Sequence, residues 1–168
     1  MIGFENVLAR SLNAISMPQT TVTVSGIPPD EAREWIDIVA TAFSSPDMFD
    51  APPSQEVVDR SMLDLTFAEI SQVPGVQLYL ATIDGRVAGG GSIRICEGVA
   101  QLCGAGTLPA DRRRGVQTAL LYYRLADAAV RGCDLAVVTT QPGSVSQQNV
   151  QRAGFELLYA RAILVCGA

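Results

Sequence analysis

Apolar and polar residues alternate through Thr20–Ile27, which is rich in β-branched side chains, and again through Val76–Ile83. Alternation of this kind predicts strands with one face turned inward. Asp84-Gly85, a hairpin turn pair, reverses the chain into Arg86–Cys96, and Glu97-Gly98 reverses it into Val99–Leu108. The three runs predict an antiparallel meander. Gly89-Gly90-Gly91 falls inside the middle strand with no helix after it, so it reads as a bulge or a place of close packing rather than a phosphate loop.

Helical spacing begins at Pro28-Pro29-Asp30-Glu31, a proline and acidic start, with Trp35, Ile38, Val39 and Phe43 as the expected buried face. A proline-broken loop over 44–53 leads to a second helix, Ser54–Gln72. Ser54 is its expected N-cap, and Val57, Val58, Met62, Leu65 and Ile70 are its apolar positions. Pro74-Gly75 ends it. A third helix spans Gly115–Arg131, with Val116, Ala119, Leu120, Tyr123, Ala126 and Val130 on one face and Gly132 as its stop. Leu135–Thr140 is a continuous apolar run, expected to be buried on both faces. Strand 99–108, helix 115–131 and strand 135–140 then form a β-α-β unit. Ser144–Ala153 is a short polar helix, and Phe155–Val165 is the last strand.

Residues 3–12 are ambiguous by pattern alone. Gly3-Phe4-Glu5 and Ala9-Arg10 match Gly154-Phe155-Glu156 and Ala160-Arg161 in one ungapped register. The match favours a strand, and it suggests the last strand of a preceding, related domain. Residues 1–19 are therefore read as a strand and linker, and residues 20–168 as one domain. An added strand at a sheet edge would also offer a route to a homodimer.

Composition narrows the chemistry. The chain has 168 residues, is 48% hydrophobic and carries a net charge of −5. The acidic balance and few aromatics argue against a nucleic-acid partner. No apolar run is long enough for a membrane span and no basic, apolar leader is visible, so a cytoplasmic location is expected. The absence of histidine removes histidine-based triads and histidine-ligated zinc, and no metal is expected. Cys96, Cys103, Cys133 and Cys166 sit in or beside apolar segments and form no C-x-x-C pair. They read as buried, reduced thiols.

Against this acidic background, three of the 12 basic residues are adjacent, at Arg112, Arg113 and Arg114. They stand in T-L-P-A-D-R-R-R-G-V-Q-T-A-L-L, residues 107–121, where a strand ends and a helix begins. The first turn of a helix presents unpaired N–H groups and the positive end of its dipole, which suits a phosphate or pyrophosphate. Gly115 admits close approach of a ligand. No Walker motif and no complete G-x-G-x-x-G accompanies it, so a different nucleotide-binding fold has little support.

Arg112-Arg113-Arg114-Gly115-Val116-Gln117 resembles the acyl-CoA motif of the GNAT superfamily of N-acetyltransferases, R/Q-x-x-G-x-G/A. Gly154-Phe155 after a short helix resembles the family's usual G-F, and the element order over 20–165 is similar. The resemblance implies an α/β fold with a mixed, mostly antiparallel sheet flanked by helices, here with an extra N-terminal strand. It implies an acetyl-CoA-dependent N-acetyltransferase acting on an amine of a small molecule or peptide. The motif residues Arg112, Arg113, Arg114, Gly115, Val116, Gln117 and Thr118 would hold the CoA pyrophosphate. Ala105, Gly106 and Thr107 would pair with the pantetheine arm, a backbone N–H near Leu108 would polarise the thioester, and Ser146 and Asn149 would flank the acetyl end.

The chain departs from the family at three places. Gln117 stands where glycine or alanine is usual, which is tolerable if its side chain points away from the phosphates. Val150 stands where many members carry a tyrosine that protonates the CoA thiolate. Gln101, which takes no proton at neutral pH, stands where some members carry a glutamate base. Ser146 and Tyr159 are the remaining candidate donors to the thiolate, and Glu97, or a water held by Gln101, the remaining relays for the amine proton. Positioning and an oxyanion donor can still lower the barrier without them. The alternative is a non-catalytic acyl-CoA-binding or partner-binding domain. Asp47 and Asp50, in the loop after the first helix, read as solvated residues with a cationic substrate as the other reading, and Tyr122-Tyr123 read as packing residues.

Overall fold

The computed structural model describes residues 3–45 and 59–164. Its strands are Gly3–Ser11 (β1), Thr23–Ile27 (β2), Val76–Ile83 (β3), Arg86–Cys96 (β4), Val99–Thr107 (β5), Leu135–Thr140 (β6) and Glu156–Ile163 (β7). Its α-helices are Ala32–Ser44 (α1), Arg60–Ser71 (α2), Val116–Val130 (α3) and Val145–Arg152 (α4), with short 3₁₀ turns at Pro29–Glu31 and Pro109–Asp111. The strands form one sheet in the order β2-β3-β4-β5-β6-β1-β7. Every neighbouring pair is antiparallel except β5 and β6.

The meander follows from the alternation and its two turns. Asp84 and Gly85 both have positive φ (52° and 75°), as a tight primed hairpin turn requires. Leu78 and Leu80 of β3 pack against Trp35, Val39, Leu63 and Phe67 on the face covered by α1 and α2. Tyr79, Ala81 and Ile83 pack with Val116, Leu120 and Leu125 on the face covered by α3. The triple glycine serves both faces. A Cβ on Gly90 would lie 3.0 Å from Trp35 and Val39, and a Cβ on Gly91 would lie 3.3 Å from the Arg124 guanidinium. Here the β4·β5 register also shifts, between Gly90 and Ser92. Bulge and close packing are thus present together.

Several expectations need correction. Phe43 is 48% exposed, and on α2 the buried residues are Leu63, Phe67 and Ser71 while Met62 and Leu65 face outward. The N-cap of α2 is Asp59, whose carboxylate accepts from the Ser61 N–H at 2.7 Å, and Ser54, Val57 and Val58 lie outside the described residues. Val130 is 86% exposed. Along β6, buried and half-buried residues alternate, so the strand is not sealed on both faces. Cys133 is buried as expected, but Cys96 is exposed and Cys103 half-buried; Cys166 lies outside the described residues.

Residues 3–11 do form a strand, but not at an edge. β1 is enclosed between β6 (Asn6↔Thr140 to Ser11↔Leu135) and β7 (Gly3↔Ile163 to Ala9↔Glu156). The open edge on that side is β7, and Leu157, Leu158 and Tyr159 are exposed along it.

Candidate functional site

β5 and β6 are paired only from Val99↔Leu135 to Leu102↔Val138. Beyond Leu102 they part. β6 stays with β1 on its far side, and β5 rejoins β4 at Gly90↔Gly106 and Gly89↔Thr107. Gly104 and Ala105 have no partner in either ladder, and Gly104 takes a left-handed φ of 47°. A bulge therefore opens the backbone toward the split.

A cavity of about 230 Å³ occupies this split. β5 contributes Gln101 through Ala105, and β6 contributes Val138 and Thr139. Gln117, Leu121 and Arg124 face it from α3, Ser146, Asn149 and Val150 from α4, and Phe43 from α1. Phe43 is exposed because it stands at this cavity, edge-on to Phe67 with ring centroids 5.3 Å apart. The fold thus brings together Gln101, Ala105, Gln117, Ser146 and Asn149. Tyr159 lies elsewhere, opposite Val7 on β7, and Glu97 sits in the β4–β5 turn. Gln117 and Cys103 both form part of the cavity wall. Asp47 and Asp50 fall outside the described residues.

The loop before α3 is built by ion pairing. Asp111 is fully buried, and its carboxylate accepts from Arg86 Nη2 at 2.9 Å and Arg114 Nη1 at 2.7 Å. The Arg86 guanidinium, first, and that of Arg114 hold this carboxyl below its ordinary pKa. Arg114 also reaches Asp84 at 3.2 Å. It is therefore a structural clamp rather than mobile charge for a ligand. Arg112 donates to the Ser45 carbonyl and ties the loop to the end of α1. Arg113 has a φ of 63°, a conformation that costs about 1 kcal/mol and concentrates at ligand clamps. Gly115, at φ 82°, is the N-cap of α3, and among the described residues no side chain caps that end.

α4 is anchored from two sides. Ser144 caps it by accepting from the Gln147 N–H at 3.1 Å. The Gln147 side-chain oxygen accepts from the Gly143 N–H at 2.8 Å and from Asn6 Nδ2 on β1 at 3.1 Å. The N-terminal strand thus holds the helix that presents Ser146 and Asn149.

These residues fit an acyl-CoA. The uncapped start of α3 suits a pyrophosphate. The unpaired stretch of β5 suits an extended arm that adds to a strand edge. Thr107 Oγ1 and Thr140 Oγ1, at the ends of the two parting strands, are buried without a hydrogen-bond partner among the described residues. One expected contact is corrected: the Leu108 N–H donates to the Ala88 carbonyl at 2.9 Å, so it is committed to the sheet. Sequence reasoning passed over Arg124 in the cavity wall and Asn6 and Gln147 behind α4. The S-x-x-Q spacing of Ser144 and Gln147 signals a capped helix start, but nothing local marks Arg124 or Asn6.

A family model described as the Acetyltransferase (GNAT) family matches residues 34–155. Among curated proteins, a mycothiol acetyltransferase of Clavibacter michiganensis subsp. michiganensis is 32% identical over 113 residues, which are 67% of this chain and 35% of that protein. The chain therefore spans about a third of that relative's length. Among solved structures, a GCN5-related N-acetyltransferase from Kribbella flavida superimposes with a TM-score of 0.63 at 23% identity, covering 93% of this chain and 55% of that one. A second, from Sphaerobacter thermophilus, gives 0.66 at 18% identity and covers 95% of this chain and 50% of that one.

Proposed function

The chain belongs to the GNAT family of acetyltransferases, and from that premise we propose that it transfers the acetyl group of acetyl-CoA to a primary amine of a small molecule or peptide. The observation that carries this reading is the parting of β5 from β6 beside the uncapped start of α3. Acetyl-CoA supplies the activated thioester. The N–H groups from Gly115 to Thr118, with Arg112 and Arg113 beside them, hold its pyrophosphate. Ala105, Gly106 and Thr107 take the pantetheine arm along the open side of β5. The bulge at Gly104–Ala105, rather than Leu108, offers a backbone N–H to the thioester carbonyl. Asn149 orients the acyl end, and the Ser146 hydroxyl donates to the departing sulfur. Gln101, exposed at the cavity, positions the acceptor or a water through its amide and takes no proton itself.

Thiol release from acetyl-CoA with a panel of amines tests the activity. Ser146→Ala is expected to lower kcat about 10- to 100-fold while KM for acetyl-CoA changes less than about threefold. An unchanged kcat would remove Ser146 from the proton path. A second reading, a non-catalytic acyl-CoA module, has a specific observation in its favour: Val150 and Gln101 occupy the cavity wall at the family's tyrosine and glutamate positions. Tight CoA binding with no thiol release for any amine would establish it.

The same reading takes residues 20–168 as the acetyltransferase domain and residues 1–19 as a strand and linker derived from a preceding related domain. Its supports are the match between residues 3–10 and 154–161 and the seating of β1 beside β7. A homodimer through a sheet edge would use β2 or β7, not β1.

A further inference from the structure

Arg124 lies on the inward face of α3 and is only 3% exposed. Its guanidinium fits because Gly91, across the interface, has no side chain. Nε donates to the Leu120 carbonyl at 3.0 Å; Nη1 donates to the carbonyls of Ser92 at 3.0 Å and Cys103 at 3.4 Å. Those bonds tie α3 to the bulge. Nη2 makes no hydrogen bond among the described residues, and the side chain lines the cavity.

The ion-paired arginines show what is missing. Arg60, Arg86, Arg114, Arg131 and Arg161 each meet a carboxylate. Arg124, the most buried, meets none among the described residues. One turn along α3, Asp127 is already engaged by the Tyr79 hydroxyl at 2.6 Å and by Arg131 Nε at 2.6 Å. Burial lowers the pKa of Arg124 to about 10, which leaves it a cation at neutral pH. A buried cation without a counter-charge is costly, and a carboxylate is its best-matched partner. Among the described residues the rest of the polar cavity wall is neutral: Gln101, Cys103, Gln117, Thr139, Ser146 and Asn149. The methyl of an acetyl group would leave Nη2 unpaired.

Resting on the acyltransferase reading, we propose that the cavity receives a carboxylate that pairs with Arg124 Nη2, carried either by the acyl chain or by the acceptor amine. A dicarboxylic acyl-CoA and an amino acid are the two sources.

Calorimetric titration of the intact chain distinguishes them. In one arm, succinyl-CoA is compared with butyryl-CoA. In the other, with acetyl-CoA present, amino acids are compared with their amides. In one arm the carboxylate is expected to bind about tenfold tighter, the scale of a charge-assisted hydrogen bond in a desolvated site. Arg124→Met should erase that preference, read as the ratio of the two affinities within each protein, whatever it does to the affinity of the uncharged ligand. A preference that survives Arg124→Met, or its absence from both arms in the unsubstituted chain, overturns the inference. If Arg124→Met does not fold, the unsubstituted chain decides by itself. Failure to bind CoA at all would overturn the acyltransferase reading, and this inference with it. CoA binding without a carboxylate preference would overturn only the inference.

Discussion

Asp111 sits at the centre of the ion-paired loop before α3. Its carboxylate is inaccessible, while the Arg86 and Arg114 side chains are 56% and 41% exposed. Because the two arginines remain partly in water, the cluster is worth less than a fully desolvated triad. Asp111→Asn is expected to cost about 1–3 kcal/mol in denaturant unfolding. The pH dependence has a definite sign. The carboxyl is held below its unfolded pKa of about 3.9, so its contribution is fully present above that value and is lost as pH falls toward the folded pKa. The acid limb of stability should flatten in Asp111→Asn; an unchanged limb would contradict the assignment. The motif R-R-R-G was legible as a pattern, but its division of labour was not. That Arg114 clamps the loop depends on Arg86 and Asp84 arriving from the β3–β4 hairpin. Arg124 was illegible for the same kind of reason: an arginine in a helix reads as surface until Gly91, far away in sequence, is placed opposite it.

At the scale of elements, strands were read well because alternation is local and Asp84-Gly85 and Glu97-Gly98 force the reversals. Helix faces were read less well. α2 is rotated from its expected phase because its inward face is chosen by α1: Phe67 stands edge-on to Trp35, with ring centroids 5.7 Å apart. Apolar Met62 and Leu65 are left outward. Phe67→Ala should therefore cost about 3–5 kcal/mol, while Met62→Ala, although it removes a comparably apolar side chain, should fall within about 0.5 kcal/mol. Thermal or denaturant unfolding of the two variants checks the difference, and similar losses would restore the original phase. The cavity was legible in outline, through the helix start and the strand before it. Its rear support was not, since the hold of Asn6 on Gln147 joins residues from opposite ends of the sequence.

For the molecule as a whole, the pattern of residues 3–12 and its echo near the C-terminus identified a strand but not its address. Position within a sheet is decided by which edges remain open. β6 had one, and β1 filled it. The pairing Gly3↔Ile163 brings the outset of β1 and the finish of β7 to adjacent strand positions, about 5 Å apart. The order of the chain and the order of the sheet are thus nearly cyclic. β1 must wait for β6 and β7 to be made before either of its ladders can close, so the longest loop in the fold is spent on an inner strand. A circular permutant that joins β7 to β1 by a short turn, with new ends opened in the linker between β1 and β2, would convert that longest-range pairing into a hairpin. It is expected to refold faster than the parent in stopped-flow measurements while retaining CoA binding, because the split between β5 and β6 keeps every neighbour it had.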